Sequence, residues 1–166
     1  MDLPIQQSAS LLVTFRVEGL LMGLDLGAVV RIERAAAVTP LSGGPPCLMG
    51  ALNHHGRILP VLDLRRRLGL PTRPLDPADQ FLLVRCGLRT VVVPVDRVEG
   101  LTAPGPLTSP EEVLGASLKG LGLMASENGI TVIQDPDHLL SPVEDAAFES
   151  ALAGSQPSGS EPPACT

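Results

Sequence analysis

The apolar and polar positions alternate near the beginning of the chain. Every second side chain from Leu11 to Val17 is apolar, and the alternation resumes from Leu20 to Leu26 after Glu18-Gly19. Successive side chains of a strand point to opposite faces, so this period is typical of a strand with one buried face. The pattern predicts a β-hairpin that turns at Glu18-Gly19. Ala28, Val29 and Ile32 follow at helical spacing and predict a single helical turn.

Two more hairpins are predicted in the middle of the chain. Apolar runs at 47–52 and 58–64 flank Asn53-His54-His55-Gly56, and Asn and Gly both tolerate the left-handed backbone of a tight turn. Residues 80–86 and 88–95 flank Gly87 in the same way, and residues 96–99 predict another helical turn. Hairpin and helical turn thus recur after about seventy residues, which indicates two similar half-domains.

Proline and capping residues refine this outline. Pro60 has no amide hydrogen to donate, so we expect its position at an edge or bulge of a sheet. Asp63 is placed to cap a short helix that ends near Leu68. Residues 70–79 are predicted to cross over without regular structure, and residues 101–109 to form a proline-rich loop.

The last part of the chain predicts one hairpin and one helix. Residues 118–125 and 130–134 flank Asn128-Gly129, a strong short hairpin signal. Ser141-Pro142-Val143-Glu144 has the form of a capping box with proline at the first helical position, and predicts a helix to about Ala153. Many short strands with brief helices indicate a mainly β fold of the barrel or sandwich type.

Composition excludes several classes of function. The 12 Lys and Arg against 18 Asp and Glu give a net charge of −6, and aromatic residues make up only 2% of the chain. Nucleic-acid binding favours basic patches and aromatic platforms, so we expect no nucleic-acid partner. An apolar content of 44% excludes a wholly disordered chain.

The chain is also expected to be soluble, intracellular and free of disulfides. Its three cysteines are an odd number without paired spacing. Residues 1–4 lack the basic and apolar regions of a secretion signal. The longest weakly charged run, 35–58, contains three prolines and several glycines, so we expect no membrane insertion.

Candidate chemistry is sparse, so we expect no enzyme and no cofactor. The chain has no phosphate-binding glycine loop, nucleophile elbow or Cys-x-x-Cys pair. His54 and His55 with Cys47 are the alternative, a metal-binding protein. Zinc needs three or four convergent ligands, and neighbouring strand residues point to opposite faces, so no metal site is expected.

Two charged clusters have simple structural interpretations. Asp135-Pro136-Asp137-His138 is interpreted as a helix cap, since a carboxylate before proline commonly caps a helix start. Arg65-Arg66-Arg67 is interpreted as a solvated face of a short helix. Cys86, within a predicted strand, is expected in the core.

Residues 50–65, Gly-Ala-Leu-Asn-His-His-Gly-Arg-Ile-Leu-Pro-Val-Leu-Asp-Leu-Arg, resemble a motif of the CheW family of chemotaxis coupling proteins. That family carries the pattern Gly-x-x-Asn-x-Arg-Gly-x-x-x-Pro-x-x-Asp-Leu. Further similarity lies at residues 15–26, 41–46, 93–100, 118–122 and 137–141. The resemblance covers residues 11 to 153 and implies one CheW-like domain there, between a flexible N-terminus (1–10) and a tail (154–166) whose composition predicts disorder.

The resemblance implies two small SH3-like β-barrel subdomains packed together, with short helices and a C-terminal helix. It implies a bacterial cytoplasmic adaptor, recruited to membrane receptor arrays, that bridges a chemoreceptor's cytoplasmic tip and the regulatory domain of a CheA-like histidine kinase. By the same resemblance the docking residues are Val29, Arg31, Ile32, Gly50, Asn53, His55 and Gly56.

Two positions depart from the family pattern. His55 stands where the family has arginine before the motif glycine, and Arg31 stands where the family has an acidic residue after the first hairpin. Arginine is permanently charged, whereas histidine is shorter and mostly neutral at pH 7. The alternative to an adaptor is therefore a divergent relative that binds the kinase without coupling receptors, an inhibitor or decoy.

Overall fold

The predicted hairpins are present in the computed structural model, which describes residues 11–108, 121–126 and 129–155. Its strands are β1 (Leu12–Val17), β2 (Leu20–Asp25), β3 (Val29–Arg34), β4 (Leu48–His54), β5 (Arg57–Leu62), β6 (Gln80–Cys86), β7 (Arg89–Val95), β8 (Arg97–Thr102), β9 (Leu107–Thr108), β10 (Leu121–Ser126) and β11 (Gly129–Gln134). The antiparallel pairs β1–β2, β4–β5, β6–β7 and β10–β11 are the four predicted hairpins. Asn128 of the last predicted turn and residues 118–120 lie outside the described residues.

The two predicted helical turns are wrong for most of their length. Val29 and Ile32 lie in strand β3, after a short 3-10 turn at Leu26–Ala28, and residues 97–99 begin strand β8. Each strand is held by a partner far away in the sequence: β3 pairs with β6, and β8 pairs with β1. A bulge interrupts each ladder, which disturbs the alternation that would reveal a strand in the sequence.

The two sheets have the same order of strands. One runs β8-β1-β2-β11-β10-β9 and the other β3-β6-β7-β5-β4. In the first sheet, β8 lies beside β1 of the first hairpin, and β2 pairs in parallel with β11. In the second sheet, β3 lies beside β6 in the same way, and β7 pairs in parallel with β5. The repeat predicted from the sequence is therefore confirmed, as two halves that exchange their third strands.

Both sheets close on themselves through the chain that continues the exchanged strand. Thr39, beyond β3, pairs with Ala51 of β4 through N–O distances of 2.9 and 2.8 Å. The equivalent segment beyond β8 forms β9, which pairs with β10. The fold is mainly β, with two SH3-like barrels, as the resemblance implied.

The barrels share one hydrophobic core. Phe15 and Met22 of the first barrel belong to the same buried cluster as Leu82 and Val93 of the second, together with Phe148 of the last helix. Phe81 and other residues on the opposite face of β6 and β7 form a smaller cluster inside the second barrel. Because both faces of these strands are buried, they appear in the sequence as nearly continuous apolar runs.

The helices begin where the sequence predicts. α1 (Leu64–Arg67) is capped by Asp63, whose carboxylate accepts the Arg65 amide at 2.9 Å. α2 (Pro142–Ser155) begins with a complete capping box, in which Ser141 and Glu144 accept each other's backbone amides at 3.1 Å. α2 extends two residues beyond the predicted end at Ala153. Within the described residues no helix is both long and apolar enough to cross a bilayer.

Two structural expectations need correction. Pro60 lies in β5, which is an interior strand of its sheet. β5 pairs with β7 only through Val61 and Val92, so the missing Pro60 amide interrupts little. The arginine cluster is not one solvated face: Arg65 is buried against Glu18 and Asp96, and Arg67 pairs with Glu144. Successive residues of a helix point about 100° apart, so three in a row cannot share one face.

Candidate functional site

Strand β3 presents exposed apolar side chains. Val30 is 52% and Ile32 42% exposed, whereas Val29 is half-buried and packs against the shared core. The strand follows the 3-10 turn that Asp25 caps by accepting the Gly27 amide at 2.7 Å. An exposed apolar strand surface is a feature of protein-binding faces.

The charged side chains of β3 form a pair beside these apolar residues. The Arg31 Nε lies 2.9 Å from Glu33 Oε1, and the Arg31 side chain is 61% exposed. Residues two positions apart in a strand share a face, which brings this guanidinium and this carboxylate together. Arg31, predicted in a helical turn, thus lies on a strand at the surface.

The tip of the β4–β5 hairpin is a tight two-residue turn. His55 and Gly56 both have positive φ, at 51° and 84°, which is the backbone of a type I′ turn. The Asn53 side chain accepts the Gly56 amide at 3.0 Å and holds this turn from within. His55, Gly56 and Asn53 are exposed.

The hairpin tip contacts strand β3 through two side chains. His54 Nε2 lies 2.9 Å from Glu33 Oε1, and the rings of His54 and His55 are 4.4 Å apart at 79°. The hydrogen bond with His54 is the main cause that lowers the pKa of Glu33, although burial acts against it. Arg31, Glu33, His54 and His55 are therefore linked by contacts into one surface at the hairpin tip, which we name the β3–tip face. Ile32 lies between Arg31 and Glu33 on β3 and points to the other side of the strand.

Glu33 is the residue of this face that the sequence prediction missed. Its partner His54 is 21 positions away in the chain, on a strand at the other end of the open sheet order. Only closure of the barrel brings β3 next to β4. The available signal was the acidic residue two positions after Arg31, which shares a face with Arg31 in a strand but not in the helical turn that the sequence predicted.

Gly50 lies away from the exposed face and has a structural explanation. It is buried at the bulge of β4, with φ of 156°. A Cβ atom there would lie 2.2 Å from the Thr39 carbonyl oxygen, which belongs to the pair that closes the barrel. Glycine is required because the Thr39 backbone approaches so closely.

Cys47 is not near the two histidines. Its thiol contacts the Glu144 carboxylate and lies 3.7 Å from Arg67 Nη2. Seven residues of extended strand, about 20 Å, separate it from His54. Burial, followed by the Glu144 carboxylate, raises the pKa of the Cys47 thiol, so this thiol is protonated at neutral pH. Cys86 is buried in the core as expected.

The expected helix cap is confirmed. The Asp135 side chain accepts the Asp137 amide at 3.0 Å and lies 2.9 Å from His138 Nδ1. The His138 side chain is 52% exposed. The geometry is that of a capped turn.

The histidines occupy positions different from those expected for neighbouring strand residues. Because His55 lies in the turn at positive φ, it does not point away from His54, and their rings meet edge to face. Donor atoms of Glu33, His54 and His55 lie within 4.8 Å of one another. Three possible ligands therefore converge here, although the sequence was expected to bring too few together. The third is Glu33 and not Cys47.

The comparisons with known proteins agree with this fold. Residues 11–144 match the family model of the CheW-like domain. Protein FrzA of Myxococcus xanthus is 36% identical over 87 residues, which are 52% of this chain and 54% of FrzA, so the chain spans about half of that relative's length. A probable chemotaxis protein CheW of Rhizobium etli is 25% identical over 142 residues, 82% of this chain and 90% of that protein.

A solved structure shows the same architecture. The scaffolding protein TtCheW from Thermoanaerobacter tengcongensis superposes with a TM-score of 0.72 at 20% identity, over 87% of this chain and 96% of that one. Two SH3-like barrels with exchanged strands are the fold that this chain shares with that scaffolding protein. The chain belongs to the CheW-like domain family.

Proposed function

We propose that this chain is a non-catalytic adaptor that couples chemoreceptors to a CheA-type histidine kinase in a chemosensory array. The observation that carries the proposal is strand β3 on a chain of the CheW-like family, where Val30 and Ile32 are exposed and Glu33 joins the strand to the hairpin tip. The proposed partners are the kinase's regulatory domain and the receptor's cytoplasmic tip. The proposed location is the bacterial cytoplasm, with recruitment to receptor arrays.

The structure supports docking by surface complementarity. Closed barrels leave few unpaired strand edges, so association relies on side-chain patches held on a rigid backbone. The centres of protein interfaces are poor in charge, and Val30 and Ile32 supply such an apolar centre beside the Arg31–Glu33 pair. The domain proposed for this task comprises residues 11–153.

Ile32→Asp tests the adaptor proposal. A carboxylate at this exposed position places an unpaired charge in the interface, and we expect at least about tenfold weaker capture of kinase regulatory domain or receptor tip. Binding is measured with purified partners by calorimetry. Ile130→Asp is the matched control, because Ile130 is 59% exposed on strand β11 of the other barrel. Wild-type protein that binds neither partner contradicts the proposal.

Val29→Asp is a less informative variant of the same strand. Val29 packs partly against the shared core, so an aspartate there disturbs packing as well as docking. Ile32 separates the two effects, since its side chain is 42% exposed.

The decoy is the second candidate, and Arg31 favours it. Its guanidinium is 61% exposed at the position where the family pattern has an acidic residue, and His55 replaces arginine at the hairpin tip. A reversed charge at an interface rim selects against an ordinary partner. Such a protein binds the kinase and leaves receptors uncoupled.

A reconstituted array distinguishes the decoy from the adaptor. The decoy predicts that wild-type protein binds kinase without receptor-dependent activation, and that Arg31→Glu combined with His55→Arg restores activation. Arg34→Glu, at an exposed position of the same strand, is the matched control. Activation by the wild-type protein contradicts the decoy, as does failure of the double variant to recover it.

A further inference from the structure

Three metal-ligating side chains converge at the hairpin tip. Glu33 from β3, His54 from the end of β4 and His55 from the turn each offer one donor atom, and these atoms lie within 4.8 Å of one another. They come from two separate segments that barrel closure brings together. The side chains of Glu33 and His54 are only 26% and 18% exposed, so two of the three donors are held by their surroundings.

The distances are close to those of a zinc site. Donors about 2.0–2.1 Å from a tetrahedral ion lie about 3.3 Å from each other. His54 Nε2 and Glu33 Oε1 are 2.9 Å apart, which is close to this donor–donor distance. His55 is exposed in the turn, so its ring can rotate to complete the set.

The charge state of the cluster also suits a cation. Glu33 supplies the negative charge of a carboxylate, and the two imidazoles supply neutral nitrogen donors. A metal ion would replace the proton that Glu33 and His54 share.

We propose that Glu33, His54 and His55 form a binding site for a divalent transition metal of the zinc class, with the remaining coordination position open to solvent. Two imidazoles and a carboxylate suit zinc and its first-row neighbours, whereas Mg²⁺ prefers an octahedron of oxygens. Three protein ligands leave a fourth position for water or a donor from another molecule. This inference does not rest on the proposed adaptor function, although His55 belongs to both sites, and its test needs no protein partner.

Arg31 opposes the metal. Its Nε donates to the same Glu33 Oε1 that faces His54, at 2.9 Å, and its positive charge repels a cation. Removing this side chain frees the carboxylate and lowers the repulsion. Arg31→Ala is therefore expected to bind zinc several-fold more tightly than the wild-type chain.

The chain contains its own control for a histidine–carboxylate pair. His138 Nδ1 and Asp135 Oδ2 are also 2.9 Å apart. Among the described residues, a third donor converges on such a pair only at Glu33, His54 and His55. Two ligands hold zinc weakly, so His138→Ala is expected to leave the binding unchanged.

Calorimetric titration of the full chain with Zn²⁺ tests the site. Cys165→Ser serves as background, because this thiol lies outside the described residues and cysteine thiolates in general bind zinc. We expect one saturable Zn²⁺ per chain, no response to Mg²⁺, and at least about tenfold weaker binding for His54→Ala, His55→Ala and Glu33→Gln. Thermal unfolding without metal shows which variants fold, and the nearly isosteric Glu33→Gln keeps the side-chain volume.

Three results would overturn the proposal. One is the absence of saturable zinc binding by the wild-type chain. Another is an affinity for zinc equal to that of the wild-type chain in both Glu33→Gln and His54→Ala, provided that both variants are folded. A third is an equal loss of affinity in His138→Ala and His54→Ala, which would indicate scattered surface histidines.

Discussion

At the scale of single residues, the hairpin tip shows how backbone conformation decides chemistry. His54 and His55 are neighbours in sequence, and a strand would separate their rings to opposite faces. Positive φ at His55 and Gly56 turns the chain instead, and the Asn53 amide oxygen holds that turn. The turn was predictable from Asn and Gly, but the meeting of the two rings was not.

Gly50→Ala tests the close approach that closes the second barrel. A methyl group there would lie 2.2 Å from the Thr39 carbonyl oxygen. Alanine would also have to keep the present φ of 156°, which is unfavourable for any residue with a Cβ atom. Overpacking and backbone strain each cost about 1–3 kcal/mol, so we expect the free energy of unfolding to fall by at least about 2 kcal/mol. Chemical denaturation followed by circular dichroism measures the change.

Gly87→Ala is the control for strain without crowding. Gly87 has φ of 58° in the β6–β7 turn, and an added Cβ meets no atom within 4 Å. A left-handed alanine costs about 1 kcal/mol. If Gly50→Ala costs no more than this, the Thr39 contact does not restrict position 50.

At the scale of elements, sequence patterns correctly predicted the elements that form between residues close together in the chain. The four hairpins have both strands and their turn within one stretch of sequence, and α2 has its complete capping box in four residues. Even the doubly buried β6 and β7 were recognised, because continuous apolar runs next to a glycine turn also indicate a hairpin.

β3 and β8 were missed for one shared reason. Each pairs with the first strand of the other half's hairpin, so its partner lies about fifty residues away for β3 and about eighty to ninety for β8. A bulge in each ladder shifts the register and breaks the alternation of side chains. Helical spacing of Val29 and Ile32 was then the stronger local pattern, and tertiary pairing overrode it.

At the scale of the whole molecule, ion pairs join parts of both barrels. Arg65 of α1 pairs with Glu18, in the β1–β2 turn, and with Asp96, which precedes β8. Asp96 also pairs with Arg73 at 2.8 Å and accepts the Glu18 amide at 2.9 Å. This network links the helix after the second hairpin to the turn of the first, so it fixes one barrel against the other.

Arg65→Met tests this connection. The Arg65 side chain is 9% exposed, and its loss leaves two carboxylates with fewer partners. We expect about 2–3 kcal/mol lower free energy of unfolding, less than for a fully buried pair because Glu18 and Asp96 keep contact with water. Equilibrium unfolding in urea measures the loss.

Arg66→Met is the matched control on the same helix. Its side chain is 55% exposed, lies 3.5 Å from Asp63 and donates to the Pro46 carbonyl at 3.2 Å, and such exposed contacts contribute little, so a change within about 0.5 kcal/mol is expected. Equal losses in the two variants would show that the network has no special part in stability.

The sequence by itself determined the hairpins, the helix starts, the repeat and the family, because each depends on neighbouring residues or on a contiguous motif. The tertiary structure decided the strand exchange, the closure of the barrels, the roles of Gly50 and Arg65, and the place of Glu33 beside His54. These contacts join residues far apart in the chain, and their partners become neighbours only when the two sheets curl and share a core.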